Sequence, residues 1–202
     1  MATSLRIHDS VPATLRDRYL AAQDFETMLA SATKNAELWA AIWRRAEVPQ
    51  EFIDRVTMLG GEWHLLVLSE DWCGDAVNTV PVLAKLAELT PNLDLRILAR
   101  DANADLMDAH LSGTSRAIPV VMALDADFAE RGWWGSRPTG LQRWALAEGL
   151  LLEQTERYRH VRTWYARDHG RTTLDEVVSM LEICERAGSH AGPAFRRPAA
   201  LI

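Results

Sequence analysis

The segment Trp63-His64-Leu65-Leu66-Val67-Leu68 constrains this chain most. It is nearly continuous in apolar side chains, follows Gly60-Gly61 and gives way to Ser69-Glu70-Asp71. Such a run is too short for a typical helix and suits a strand covered on both faces of a parallel sheet. The period then changes. Over residues 74–89, Val77, Val80, Ala84 and Ala87 fall in one stripe with Leu83, Leu86 and Leu89 beside them, the pattern of a helix. Pro91-Asn92 turns the chain into a second strand, Leu93 to Ala99. A short helix around Ala104 to Leu111 follows, closed by Ser112-Gly113, and Pro119 to Leu124 reads as a third strand. Asp125-Ala126-Asp127 is a turn from which Phe128 to Trp134 returns as a hairpin. Strand, helix, strand, helix, strand, strand is an α/β order, and two successive strand–helix–strand crossovers predict a parallel central portion with right-handed connections.

Helices flank this core. Phe25, Met28, Leu29 and Ala32 recur at helical spacing, as do Leu38, Trp39, Ile42 and Trp43. Pro49 sits at a first helical turn, with Phe52, Ile53, Val56 and Leu59 on one face. After Pro138 the chain is helical again, and Thr173-Leu174-Asp175-Glu176 reads as a capping box opening a last helix that runs to Gly188. The expected layout is an N-terminal helical extension over residues 1–59 packing on a core at 60–138, C-terminal helices at 139–188 and a loose tail at 189–202.

Composition narrows the function. At 48% hydrophobic residues and 25% charged, 202 residues bury a sizeable core. Twenty-eight acidic against 22 basic residues give a net charge of −6, which excludes a wholesale basic footprint for nucleic acid. Two cysteines, Cys73 and Cys184, exclude a disulfide-dense scaffold and a Cys-rich zinc module. No apolar run reaches the roughly 18 to 20 residues of a membrane span. The start of the sequence lacks a basic stretch followed by an apolar one, so no secretion signal is expected and a reducing cytoplasm is the expected compartment. The six histidines form no H-x-x-x-H or H-E-x-x-H pair, so no metal site is expected, and His64 reads as a satisfied strand histidine.

The chemistry concentrates in Ser69-Glu70-Asp71-Trp72-Cys73-Gly74-Asp75-Ala76, where the first strand hands over to its helix. Free N–H groups and the positive dipole end favour a thiolate at a helix start. In an exposed position such a cysteine titrates below an ordinary thiol and becomes the nucleophile. Trp72 supplies a flat apolar wall, and Gly74 lets a partner's backbone come close. Asp75 suits a first helical turn but opposes a nearby thiolate, and it is a substrate-binding candidate together with Trp72, Gly74, Ile118 and Pro119. Pro119 belongs at the beginning of its strand, because proline has no ladder donor. A cis Ile118-Pro119 bond there exposes main-chain groups to an extended peptide. Trp39, Trp43, Trp133 and Trp134 read as packing residues, and Trp164 and Tyr165 as turned inward from a solvated helix face. Arg137 is a candidate for holding a thiol cofactor's carboxylate.

From about Gly61 to Pro138 the chain resembles the thioredoxin superfamily. Trp72-Cys73-Gly74 matches the start of that family's W-C-G-x-C site, Pro81 follows Cys73 by eight residues as the helix-kinking proline does, and Ile118-Pro119 opens a strand as the family's cis-proline does. The flanking helices and the string E-D-W-C-G-D-A resemble a branch of poorly defined activity. The resemblance implies a thioredoxin-like fold, a central mixed sheet flanked by helices. It further implies Cys73 as attacking thiol, Trp72 and Gly74 as substrate rim, and Pro119 as the residue that holds an extended partner beside the sulfur.

Two departures redirect the chemistry. Ala76 stands where the resolving cysteine belongs, and Val67 where the family often keeps a buried acid. Attack by Cys73 stays open to such a chain, while self-resolution as a dithiol does not. Cys184, between Ile183 and Glu185, reads as an inert core residue. A peroxiredoxin-type peroxidase expects Thr three residues before its cysteine, and Glu70 stands there. Two functions follow. One is a single-thiol oxidoreductase acting on a protein disulfide or small thiol substrate, with no bound cofactor and a low-molecular-weight thiol as reductant. The other is a redox-inert binding or scaffold protein.

Overall fold

The computed structural model describes residues 13–188, so the expected loose tail at 189–202 lies outside the described residues. Four helices come first: α1 (Leu15–Ala21), α2 (Phe25–Ser31), α3 (Ala36–Arg45) and α4 (Gln50–Thr57). The core follows as β1 (Trp63–Ser69), α5 (Ala76–Leu89), β2 (Leu93–Ala99), α6 (Ala104–Ala109), β3 (Val120–Leu124) and β4 (Glu130–Gly135). Then come α7 (Thr139–Leu146), a 3-10 turn at Glu148–Leu151, α8 (Gln154–Asp168) and α9 (Arg171–Gly188).

The strands form one mixed sheet in the order β2-β1-β3-β4. β1 is interior, and Leu65, Leu66, Val67 and Leu68 are fully buried, as an uninterrupted apolar run requires. Only the first crossover gives a parallel pair: β1 and β2 run together, whereas β3 runs antiparallel to β1 and β4 antiparallel to β3. The expected parallel centre is thus corrected, and the reason is reach. A seven-residue strand spans about 23 Å and a fourteen-residue helix returns about 21 Å, which α5 supplies. Six-residue α6 climbs only about 9 Å. The chain therefore enters β3 near the end where it left β2.

Alternation along β4 assigns the faces. Trp134 donates its indole N–H to Glu176 of α9 at 2.7 Å, while Trp133 on the opposite face meets the His110 ring edge-on at 5.5 Å. α5 and α9 thus share one side of the sheet. On the other, Tyr19 of α1 and Phe128 enclose His64, whose ring stacks on Phe128 at 4.5 Å. His64 is not the satisfied histidine expected: its Nδ1 is buried with no hydrogen-bond partner among the described residues, and burial pushes its pKa below the ordinary value. Trp39 is fully buried, and Lys85 of α5 places Nζ 3.7 Å from the Trp43 ring, which seats α3 on α5.

The capping box also needs correction. α9 begins at Arg171, so Thr173 lies inside it, buried and with its hydroxyl unpartnered. His169 and Gly170, both at positive φ, end α8 and let the chain re-enter a helix at once. Asp168 accepts the Thr172 N–H at 3.1 Å in the role assigned to Thr173. Glu176 is spent on Trp134 and on the Thr139 N–H at the start of α7.

Gly135 closes β4 against Pro119 so tightly that an added Cβ would stand 2.5 Å from the Pro119 carbonyl oxygen. The atoms it would meet are backbone of Pro119 and Val120, which cannot swing aside as a side chain would. Gly135→Ala is therefore expected to lower unfolding free energy by about 1–3 kcal/mol, read by urea denaturation.

Candidate functional site

The turn leaving β1 is built by its own backbone. The Cys73 N–H donates to the Glu70 carbonyl at 3.1 Å, and the Cys73 carbonyl accepts the Val77 N–H at 3.1 Å, which leads the chain into α5. The sulfur so placed meets two main-chain groups. The Ala76 N–H donates to Sγ at 3.4 Å, and the thiol donates to the Ile118 carbonyl at 3.4 Å. The Ile118–Pro119 peptide is cis. The structure thus brings Cys73, Ile118 and Pro119 together across 45 residues of sequence.

Trp72 and Gly74 face outward beside the sulfur. Trp72 is 47% exposed, with the Arg100 guanidinium 4.9 Å over its ring, and nothing lies within 4 Å of a Cβ built on Gly74. Cys73 itself is not in an exposed position: it is 7% accessible. Burial pushes its thiol up, and the Asp75 charge adds to that. The N–H groups of Ala76 and Asp75 and the Arg137 charge pull the other way without overcoming it. The lowered titration that a helix start favours is therefore corrected, because removal of the sulfur from water outweighs the N–H groups that the helix start offers it.

Asp75 departs from its expected use as well. It occupies the N-cap of α5 but makes no side-chain cap bond. Its carboxylate instead accepts the Tyr165 hydroxyl at 3.0 Å and pairs with Arg137 at 2.7 Å. Arg137 is thereby engaged within the protein. Ala76 and Val67 are both fully buried, so neither a second thiol nor a strand acid stands at those two positions. Cys184 is free, 1% accessible and pushed up to about 11 by burial, with Arg131 and Glu130 as its charged neighbours. Those residues start β4, whereas Arg137, whose charge bears on Cys73, follows its end.

Asp71 is the residue that sequence reasoning missed. Its Oδ2 accepts the N–H groups of Thr33 and Lys34, each at 2.8 Å, and the Thr33 hydroxyl at 3.1 Å. Its carbonyl accepts from the Trp39 indole at 2.9 Å and the Asn35 side chain at 3.2 Å. One residue thus fastens the α2–α3 link to the cysteine turn. No periodicity marks it, since the acidic pair Glu70-Asp71 before Trp72 carries no helical or strand repeat. Among the described residues, no group of three or more His, Cys, Asp or Glu side chains is placed to hold a metal, and no helix is long and apolar enough to cross a membrane.

A mixed sheet whose first strand delivers a W-C-G turn to a helix start, facing a cis X-Pro bond at the head of an antiparallel strand, defines a thioredoxin-like fold. A family profile described as Thioredoxin matches residues 22–157, and the chain belongs to that family. Among solved structures, a Pseudomonas aeruginosa protein of unknown function is similar, with a TM-score of 0.68 and 21% identity over 84% of this chain and 98% of that one. An HIV epitope scaffold is similar with a TM-score of 0.67 and 20% identity, over the same shares of the two chains. At those identities the likeness is one of fold. No curated protein matches the chain.

The hydrogen bonds to Asp71 hold its carboxyl below the usual range, the Lys34 N–H first among them. A lowered folded-state value contributes stability above the unfolded value of 3.8, and that contribution is lost as pH falls through the folded value. Asp71→Ala is expected to destabilise by about 1 kcal/mol at neutral pH, below the roughly 1.5–3 kcal/mol of bonds to a charged group because this one is water-exposed. The difference from wild type should shrink below pH 3.8, as measured by paired urea melts at neutral and acid pH.

Proposed function

We propose that the protein is a thioredoxin-like thiol oxidoreductase with one working sulfur, Cys73. A single observation carries this reading: Sγ lies at the start of α5 within 3.4 Å of both the Ala76 N–H and the Ile118 carbonyl that precedes cis Pro119. A cysteine so placed can pass a proton out, receive an N–H as its charge develops, and hold an extended partner beside the proline. In the forward step the Cys73 thiolate attacks one sulfur of a disulfide. A new sulfur–sulfur bond forms to Cys73, the old one breaks, and the departing thiolate takes up a proton. A low-molecular-weight thiol then attacks the mixed disulfide, leaving as the oxidised partner and returning Cys73 to its reduced form. Substrate contacts fall to Trp72, Gly74, Asp75, Ile118 and Pro119. The substrate class is a protein disulfide or a small thiol disulfide, and the compartment is the cytoplasm.

Burial of Cys73 favours a second reading, a redox-inert thioredoxin-fold binding or scaffold protein in which the same groove holds a partner without turnover.

Turnover of a small disulfide, with glutathione as reductant, separates the two. Because the thiol titrates above its ordinary value, the thiolate fraction grows about tenfold per pH unit through the neutral range. Exchange is therefore expected to climb by roughly that factor from neutral to mildly alkaline pH, and to vanish in Cys73→Ser. Wild type indistinguishable from Cys73→Ser at every pH would overturn the enzyme in favour of the inert scaffold.

A further inference from the structure

Two polar side chains from the C-terminal part of the chain reach back to the cysteine turn. Tyr165 of α8, 4% accessible, donates its hydroxyl to Asp75 Oδ1, and Arg137 from the β4–α7 link sets Nη2 against Asp75 Oδ2. Nη1 of Arg137 donates to Gln142 Oε1 at 3.2 Å, while its Nε is buried without a hydrogen-bond partner. The pair is mostly out of water, with side-chain exposures of 30% for Arg137 and 12% for Asp75. A scaffold gains little from such a pair, because well-packed apolar residues in its place are often neutral or stabilising. These charges do have an addressee. Asp75 lies two residues after Cys73, and the thiol is acted on by both: the carboxylate disfavours its ionisation and the guanidinium favours it.

We infer that Asp75, Arg137 and Tyr165 form a charge clamp on Cys73, in which Arg137 promotes the thiolate, Asp75 opposes it and Tyr165 fixes the carboxylate in place. The inference rests on Cys73 being the working thiol, and it gives the C-terminal helices a part in the site. Arg137 and Tyr165 are positioning residues that act through Asp75 and the sulfur. Among the described residues, Asp75, Arg137 and Tyr165 are charged or titratable side chains that bear on Cys73, and Ala76 and Ile118 add main-chain groups. The burial that separates these groups from water makes the clamp matter, since charges that close couple strongly where screening is weak.

The test is the pH profile of Cys73 alkylation by iodoacetamide, a neutral probe, read on the full chain by peptide mass spectrometry so that Cys184 does not interfere. Asp75→Asn should move the inflection down and raise the neutral-pH rate severalfold, up to about tenfold for one pH unit. Arg137→Gln should move it up and lower the rate by a similar factor, and Arg137→Lys should restore most of the loss. A purely structural role predicts something else: every variant loosens the turn, exposes the sulfur and raises the rate. Inflections that move in the same direction for Asp75→Asn and Arg137→Gln, or do not move, overturn the clamp. Should Arg137→Gln fail to fold by circular dichroism, near-isosteric Asp75→Asn and charge-conserving Arg137→Lys still decide: the first must shift down and the second must stay near wild type. The profile needs no turnover. A wild type that alkylates with the expected pattern but exchanges no disulfide sinks the enzyme reading and leaves the clamp standing.

Discussion

Cys73 is bracketed by two aspartates, and each is fastened to an opposite end of the chain. Asp71 gathers the α2–α3 link through two backbone N–H groups and a hydroxyl. Asp75 gathers the β4–α7 link and α8 through Arg137 and Tyr165. Just before them the turn is tied to the sheet, because Glu70 accepts the Asp101 N–H at 2.9 Å beyond the end of β2. The cysteine loop is thus the point at which the flanking helices and the core meet. That arrangement accounts for the depth of the sulfur: a turn secured on three sides is a turn that neighbouring chain covers.

Depth and charge then compete at one atom. A helix start offers the sulfur an N–H and a favourable dipole, and Arg137 offers a positive charge. Removal from water acts against all of them and is the largest influence, which leaves the thiol protonated and donating to the Ile118 carbonyl. A dithiol protein draws its partner off with a second sulfur, whereas fully buried Ala76 leaves Cys73 dependent on a thiol from solution.

Much of this was legible in the sequence, for identifiable reasons. β1 declared itself because a strand buried on both faces tolerates no polar interruption, and α5 because its stripe keeps helical period over four turns. Trp72, Cys73, Gly74 and Pro119 were found through a local motif and a proline whose missing donor restricts where it can sit. The direction of β3 was hidden, because it follows from how far α6 reaches rather than from any pattern of side chains. The start of α9 was misplaced because Thr173 and Glu176 match a capping box in spacing, while the left-handed His169–Gly170 pair that governs the junction leaves only a faint trace. Arg137 and Tyr165 read as a cofactor arginine and an inward aromatic. Their actual partner, Asp75, lies far away in sequence, beyond the range of any local rule.

The span between Asp75 and Tyr165 is 90 residues. A ribosome delivers the strand, the turn and the cysteine long before it delivers the tyrosine that reaches back to them. Over those 90 residues the polypeptide therefore carries a sulfur whose surroundings are unfinished. The last third of translation does more than append helices: it changes the chemical character of a residue made long before.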